Sequence, residues 1–257
     1  MKLLALEASA DTVSVAIQKD SDRVQDQLPA SSKSSSWLIP RILQLLAESD
    51  LSLHLLDGVV FGQGPGAFTG LRTVCSVVQG LSLGLKPKPI ILGIDTLMEL
   101  AHDAFSQIHP TDTLSLQSNG RSNTVRCLSI LDARMGQWYV GAYERVNDQW
   151  LTTAKPLVCD PLHLVVPTAW QGRDFIVSSN VEPPILEKIM GLKNLPPAAA
   201  LIRSSPSARL CLDLAMLGST LYNASMHGLA SPLYVRERVA FTTLERSLIK
   251  PNVVIEG

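Results

Sequence analysis

Aromatic side chains are scarce in this chain, 5% of 257 residues, although 46% of the residues are hydrophobic. The core must therefore be built from Leu, Val, Ile and Ala. A surplus of one charge is missing as well: 22 Lys and Arg stand against 23 Asp and Glu, a formal net charge of −1. A chain without surplus positive charge is not one whose main work is gripping nucleic acid electrostatically, although a local basic patch stays open. Cysteine is limited to Cys75, Cys127, Cys159 and Cys211, far apart and in apolar settings. They read as buried thiols of a reducing compartment, the cytoplasm, rather than as a disulfide frame. The histidines, His54, His102, His109, His163 and His227, form neither an H-E-x-x-H nor an H-x-x-x-H pair, so no zinc site is announced. No apolar run reaches the length of a membrane span. The opening MKLLALEASA imitates a secretion signal, but its apolar run is short and Glu7 interrupts it, so it reads as a first strand.

What the chain does have is the stretch Gly58–Leu85, GVVFGQGPGAFTGLRTVCSVVQGLSLGL. A short apolar strand leads into Gly62, Gly64, Pro65 and Gly66, and a helix-compatible segment follows from Phe68. Strand, glycine turn and helix start is an arrangement that presents backbone N–H groups to an anion. The known phosphate motifs fit it poorly. A P-loop needs Gly, four residues, then Gly-Lys-Ser/Thr. Counted from Gly64 or Gly66, the place of the second glycine is held by Thr69 or Leu71. The dinucleotide fingerprint G-x-G-x-x-G/A is met by Gly62, Gly64 and Ala67, and the next strand leads to Asp95. That fingerprint normally follows the first strand of its domain, whereas here it follows the third strand-like segment. On the glycines alone, a purely structural turn outweighs a phosphate site.

In chain order, the pattern predicts strands at Leu3–Ala8 and Thr12–Lys19, an edge strand at Arg23–Leu28, a helix at Trp37–Glu48, a strand at Val59–Phe61, a helix over 68–84, a strand at Pro89–Ile94 and a helix at Leu97–Phe105. Pro40 falls in the first turns of its helix, where proline is tolerated. Residues 106–124 are a polar linker or insertion. Arg126–Glu144 then repeats the N-terminal pattern of apolar strand, acid, turn and alternating strand. Leu4–Glu7 aligns with Ser129–Asp132 at an offset of 125 residues, which points to a duplicated architecture. An edge segment at Gln149–Val158 follows, then a helix near Pro161–Val165, a strand at Asp174–Ser178, and helices at Pro183–Ile189 and Ser207–Gly218. The last strand-like piece is Pro232–Val235. The division expected is an N-terminal lobe over 1–108, a C-terminal lobe over 109–235 whose helix 207–218 packs back on the first, and a tail over 236–257.

Two acid-tipped hairpins in a duplicated α/β chain resemble the actin, Hsp70 and sugar-kinase superfamily, which implies two ribonuclease-H-like lobes with a nucleotide cleft between them. Within that superfamily, GQGPGAFTGLR at 62–72 and the hairpin ILDARMGQWYVGAYE at 130–144 resemble the TsaB family of tRNA threonylcarbamoyladenosine (t6A) synthesis. Leu3–Ala16, ILGIDTLMELA at 91–101 and SPLYVRERVAF at 231–241 extend the likeness over nearly the whole chain. The resemblance implies a non-catalytic scaffold that forms a heterodimer with TsaD, the subunit that transfers threonylcarbamoyl to adenosine 37 of tRNA, and that is joined by the ATPase TsaE. It implies no cofactor of the chain's own: ATP and a metal ion belong to the partner subunits, and tRNA is met through the complex. Two departures stand out. Glu7-Ala8-Ser9 replaces the Asp-Thr common in the superfamily, and its extra methylene is expected to push the carboxylate outward. Ser34 stands where a His is common.

Two sets of residues follow as candidates. Glu7, Gly64, Gly66 and Asp132 would line a vestigial nucleotide cleft, with Glu7 and Asp132 facing each other; capped turns are the plainer reading of the two acids. The second set rests on helix 68–84, which is apolar around most of its circumference and so must be covered on more than one side. Ser76, Gly80 and Gly84 fall on one stripe and permit close approach of another helix. That helix is either 37–48 of the same chain or, as the resemblance implies, a helix of TsaD in a four-helix seam; without TsaD, a second copy of the chain takes its place. The residues expected at that seam are Trp37, Ile42, Leu45, Phe68, Leu71, Arg72, Cys75, Ser76 and Gly80. Arg72 can meet a phosphate or a partner carboxylate, or stay solvated. An ATP-binding kinase or ATPase of the same superfold is the alternative function, and a metalloprotease the remotest, since the H-x-x-x-H pair is missing.

Overall fold

The computed structural model describes residues 1–31, 34–108, 124–192, 200–217 and 230–236. Most of the polar insertion, the tail beyond residue 236 and the last residue of helix 207–218 lie outside these. The chain begins with an antiparallel meander of β1 (Lys2–Glu7), β2 (Thr12–Lys19) and β3 (Asp22–Pro29). Then come α1 (Ser34–Glu48), β4 (Gly58–Gly64), α2 (Phe68–Gly84), β5 (Ile90–Asp95) and α3 (Thr96–Gln107). β4 lies parallel to β1, and β5 parallel to β4, giving the order β3-β2-β1-β4-β5. The second half repeats the scheme with β6 (Thr124–Asp132), β7 (Trp138–Val146), β8 (Gln149–Cys159), β9 (Ile176–Ser179), α4 (Pro183–Leu192), β10 (Ala200–Arg203) and α5 (Ala208–Met216). Its sheet order, β10-β9-β6-β7-β8, is the same set of pairings. The duplicated, ribonuclease-H-like α/β fold is thus present in both halves.

Burial explains which pattern each strand carries. β1 has neighbours on both sides and helices on both faces, so it is an unbroken apolar run with its only acid at the end. β3 is an edge strand and alternates with solvent. α1 and α2 cover one face of the first sheet, against Leu4, Leu6, Val15, Ile17, Val59 and Phe61. The other face, with Leu3, Ala5, Val60 and Ile94, is covered by α5 from the second half. In exchange α3 sends Leu97, Leu100, Ala101 and Ala104 into the second sheet, against Val125, Cys127, Leu131 and Tyr143. α3 and α5 also touch, so a shared middle layer welds the halves. Full burial of one leucine in it, such as Leu97, stabilises by about 2–3 kcal/mol.

Hydrogen bonds complete the weld. Tyr143 Oη donates to Asp95 Oδ2 at 2.7 Å, Ser178 Oγ to the Leu100 carbonyl at 2.6 Å, and Ala208 N to Ser14 Oγ at 2.8 Å.

Four sequence expectations are corrected. α1 starts at Ser34, so Pro40 lies inside the helix with its ring exposed, not in the first turns. The helix near Pro161–Val165 is a single 3₁₀ turn, Pro161–His163. Pro232–Val235 forms no strand; one backbone bond, Leu233 N to the Gln63 carbonyl at 2.7 Å, holds it. The repeat offset is 124, not 125: Leu3–Leu6 pair with β4 as Cys127–Ile130 pair with β9. A slip of one residue turns every side chain to the opposite face of a strand.

Candidate functional site

The glycine turn is filled by the chain itself. A Cβ on Gly62 would stand 1.3 Å from Glu7 Oε2, one on Gly66 2.3 Å from the Ser9 carbonyl oxygen, and one on Gly70 1.8 Å from the Ala8 carbonyl oxygen. Gly64 has φ +104°, a backbone conformation that a side chain strains. The motif lets the β4–α2 corner press against residues 7–9. One of its amides is also spent, since Ala67 N donates to the Ser9 carbonyl at 2.6 Å. The structural turn is therefore what these glycines make.

Glu7 does not point outward. It is 1% exposed, and with the one-residue slip it faces the middle layer, where Glu99 of α3 and Cys211 of α5 meet it. Ser9 N donates to Glu7 Oε1 at 2.5 Å, Ser207 N to Glu99 Oε2 at 3.2 Å, and the Cys211 thiol lies 3.3 Å from Glu99 Oε1. Burial raises the pKa of Glu7, and burial together with the neighbouring Glu7 raises that of Glu99 further. Burial thus disfavours the charged form of both carboxyls, more strongly at Glu99, and of the Cys211 thiol. Among the described residues this is the one group of His, Cys, Asp and Glu side chains near enough to share an ion.

Asp132 lies elsewhere, at the mouth of a cleft between the two hairpin turns. Asp132 N donates to Asn180 Oδ1 at 2.9 Å, and Arg134 N to Asp132 Oδ1 at 2.8 Å. Arg134 reaches across the mouth to Asp11, closing one turn on the other. The cavity beneath measures about 230 Å³ and includes Ser9, Gly66, Phe68 and Tyr234 in its lining. Leu233–Arg236 cross it, and Arg236 Nη2 donates to the Ala133 carbonyl at 3.1 Å and to Gln137 Oε1 at 2.7 Å. Of the four residues expected at a nucleotide cleft, Gly66 and Asp132 reach this cavity, and Glu7 and Gly64 do not. Glu7 and Asp132 do not face each other. The cations and several amides at the mouth are already engaged, which leaves little to hold a phosphate chain.

The outward face of α1 and α2 is the other site. Ile42, Leu45, Leu71 and Cys75, expected at a seam, are at most 4% exposed and belong to the chain's own core. The phase of the helices was misread: the outward residues of α1 include Ile39, at 53% exposure, Pro40 and Leu43, at 49%. On α2 they are Arg72, Ser76, Gly80, Leu83 and Gly84, flanked by half-buried Phe68; Trp37 of α1 is also half-buried. Among the described residues no atom lies within 4 Å of a Cβ built on Gly80 or Gly84, so α1 does not cover this stripe. Spacing could have found Ile39 and Leu43, one turn apart and each about 100° round the helix from buried Leu38 and Ile42.

The chain resembles known proteins over much of its length. Residues 28–173 match the family described as TsaD, tRNA N6-adenosine threonylcarbamoyltransferase. The chain is 31% identical over 145 residues to the tRNA threonylcarbamoyladenosine biosynthesis protein TsaB of Escherichia coli (strain K12), covering 56% of each chain. It spans only that 56% of the Escherichia coli relative, but it covers 94% of the Bacillus subtilis (strain 168) protein of the same name, at 25% identity over 92% of its own length. Among solved structures, YeaZ from Pseudomonas aeruginosa superposes with a TM-score of 0.71 at 27% identity, over 91% of this chain and 99% of that one. With the family match covering more than half of its residues, the chain belongs to the TsaD family, and its relatives carry the name TsaB.

Proposed function

We propose that the chain is a non-catalytic subunit of tRNA threonylcarbamoyladenosine synthesis, docking through the outward face of α1 and α2 on a threonylcarbamoyltransferase of the TsaD kind. The observation that carries this reading is the small-residue stripe Ser76, Gly80 and Gly84 of α2, open among the described residues, with Ile39 and Leu43 of α1 and Leu83 of α2 exposed on helices that cover the same side of the first sheet. Exposed apolar side chains on an outer helical layer suit a partner, and small residues let a partner helix approach closely. The names of the relatives support the pathway. The non-catalytic role is supported by the burial of the acidic pair and by the engagement of several amides at the cleft mouth. ATP, a metal ion and contact with tRNA then belong to the assembly, with the ATPase TsaE as third member and the cytoplasm as its place. Without TsaD, the same face makes a homodimer. No helix among the described residues is long and apolar enough to cross a membrane. The test is reconstitution: the chain should restore threonylcarbamoyl transfer to tRNA by the transferase of the same cell and show no transfer or ATP hydrolysis by itself. Turnover by the purified chain alone would refute the scaffold role.

A further inference from the structure

We infer that Arg72 selects a different chain over a second copy of this one at the α1/α2 face, by pairing with a carboxylate that only the different chain presents; this rests on the docking role proposed above. Arg72 stands in line with the small-residue stripe, one helical turn from Ser76. It is exposed yet held: its Cζ lies 3.8 Å from the centre of the Phe68 ring, and its Nε donates to Tyr234 Oη at 2.9 Å. The rings of Phe68 and Tyr234 lie 5.6 Å apart and brace the guanidinium from α2 and from the crossing segment. Tyr234 is itself fixed, because Leu233 N donates to the Gln63 carbonyl and Gln63 Nε2 to the Ser231 carbonyl. Among the described residues Arg72 forms a salt bridge with no carboxylate, although most of the other described arginines do. A braced, exposed guanidinium with no carboxylate partner among the described residues suits bidentate recognition of an acid.

On α1 and α2 a second copy offers no such acid. α2 contains no Asp or Glu, and the only acid of α1, Glu48, sits at its far end and is engaged by Arg41 at 3.0 Å. Two copies packed through these helices would each place an unpaired arginine against an apolar face, a desolvation cost without a compensating partner. A partner with Asp or Glu facing the start of α2 relieves that cost.

The test is binding of the full chain to the threonylcarbamoyltransferase of the same cell, by titration calorimetry, beside self-association by sedimentation. Arg72→Ala should weaken partner binding by about thirtyfold and flatten its salt dependence. Arg72→Lys, which keeps the charge but loses the fork, should recover part of that loss. Self-association should be unchanged or tighter in Arg72→Ala. Partner binding by Arg72→Ala at wild-type strength, or equal weakening of both associations, would overturn the selection by Arg72 and leave the docking role intact. A wild-type chain that does not bind the transferase would overturn the docking role itself.

Discussion

Glu7 occupies the space that a side chain on Gly62 would need, with Oε2 only 1.3 Å from the place of its Cβ. The glycine motif and the acid at the tip of the first strand are therefore one packing unit, not two halves of a ligand site. Gly70 is tied in the same way to the Ala8 carbonyl, and Gly80 to nothing.

Alanine at these positions should separate the two kinds of glycine. Gly70→Ala forces backbone against backbone and should lower stability by about 3 kcal/mol or more. Gly80→Ala should raise it by about 0.5–1 kcal/mol, because the site is open and helical. Urea unfolding of both variants checks this; equal effects would mean that the turn is not packed as described.

Burial of Glu99 beside Glu7 makes stability depend on pH in a set direction. A carboxyl whose pKa is raised in the folded state stabilises fully below its unfolded value of 4.5, and that stability is lost as pH rises toward the folded value. Asp95, raised by burial to about 6 from 3.8, adds the same trend between those two values. Thermal unfolding temperature should fall as pH rises above 4.5, with each proton contributing up to about 1.4 kcal/mol per pH unit. Glu99→Gln keeps a donor toward Glu7 and should remove one share of this slope. An unchanged slope in that variant would exclude Glu99 as the titrating group.

Tyr143→Phe removes the phenol that donates to Asp95 across the two halves. The charged form of Asp95 loses its donor, so the loss, about 1–3 kcal/mol, should be larger at pH 7 than at pH 4. Denaturant titrations at the two pH values distinguish this from a simple packing loss, which would be equal at both.

The buried thiols should be inert. Burial raises Cys75 to about 11 and Cys127 to about 12, and keeps Cys211 neutral as well. In native protein at pH 7.5, iodoacetamide should leave these three unmodified, as mass spectrometry reads them. Rapid labelling of any of them would contradict their place in the core.

Much of this architecture is written in periodicity. β2 and α2 were legible to the residue because alternation and the helical run are long and uninterrupted. β10 was not, because a four-residue edge strand carries too few side chains to show a period. The candidate site was read less well for two reasons. Repeats of apolar residues look alike in adjacent registers, so the slip from 124 to 125 paired Glu7 with Asp132 although they face different layers. A helix apolar all round also hides which side its own sheet takes, and Ile42, Leu45, Leu71 and Cys75 were assigned outward on that account.

The most direct measurement is of the outward face itself. Gly80→Leu and Ser76→Leu add bulk where none of the described residues is met or where the side chain is exposed, so both variants should keep the wild-type unfolding temperature within a few degrees. On a sizing column with the threonylcarbamoyltransferase of the same cell, wild type should co-elute and each variant should elute apart. Folded variants that still co-elute with the transferase as wild type does would contradict docking through α1 and α2.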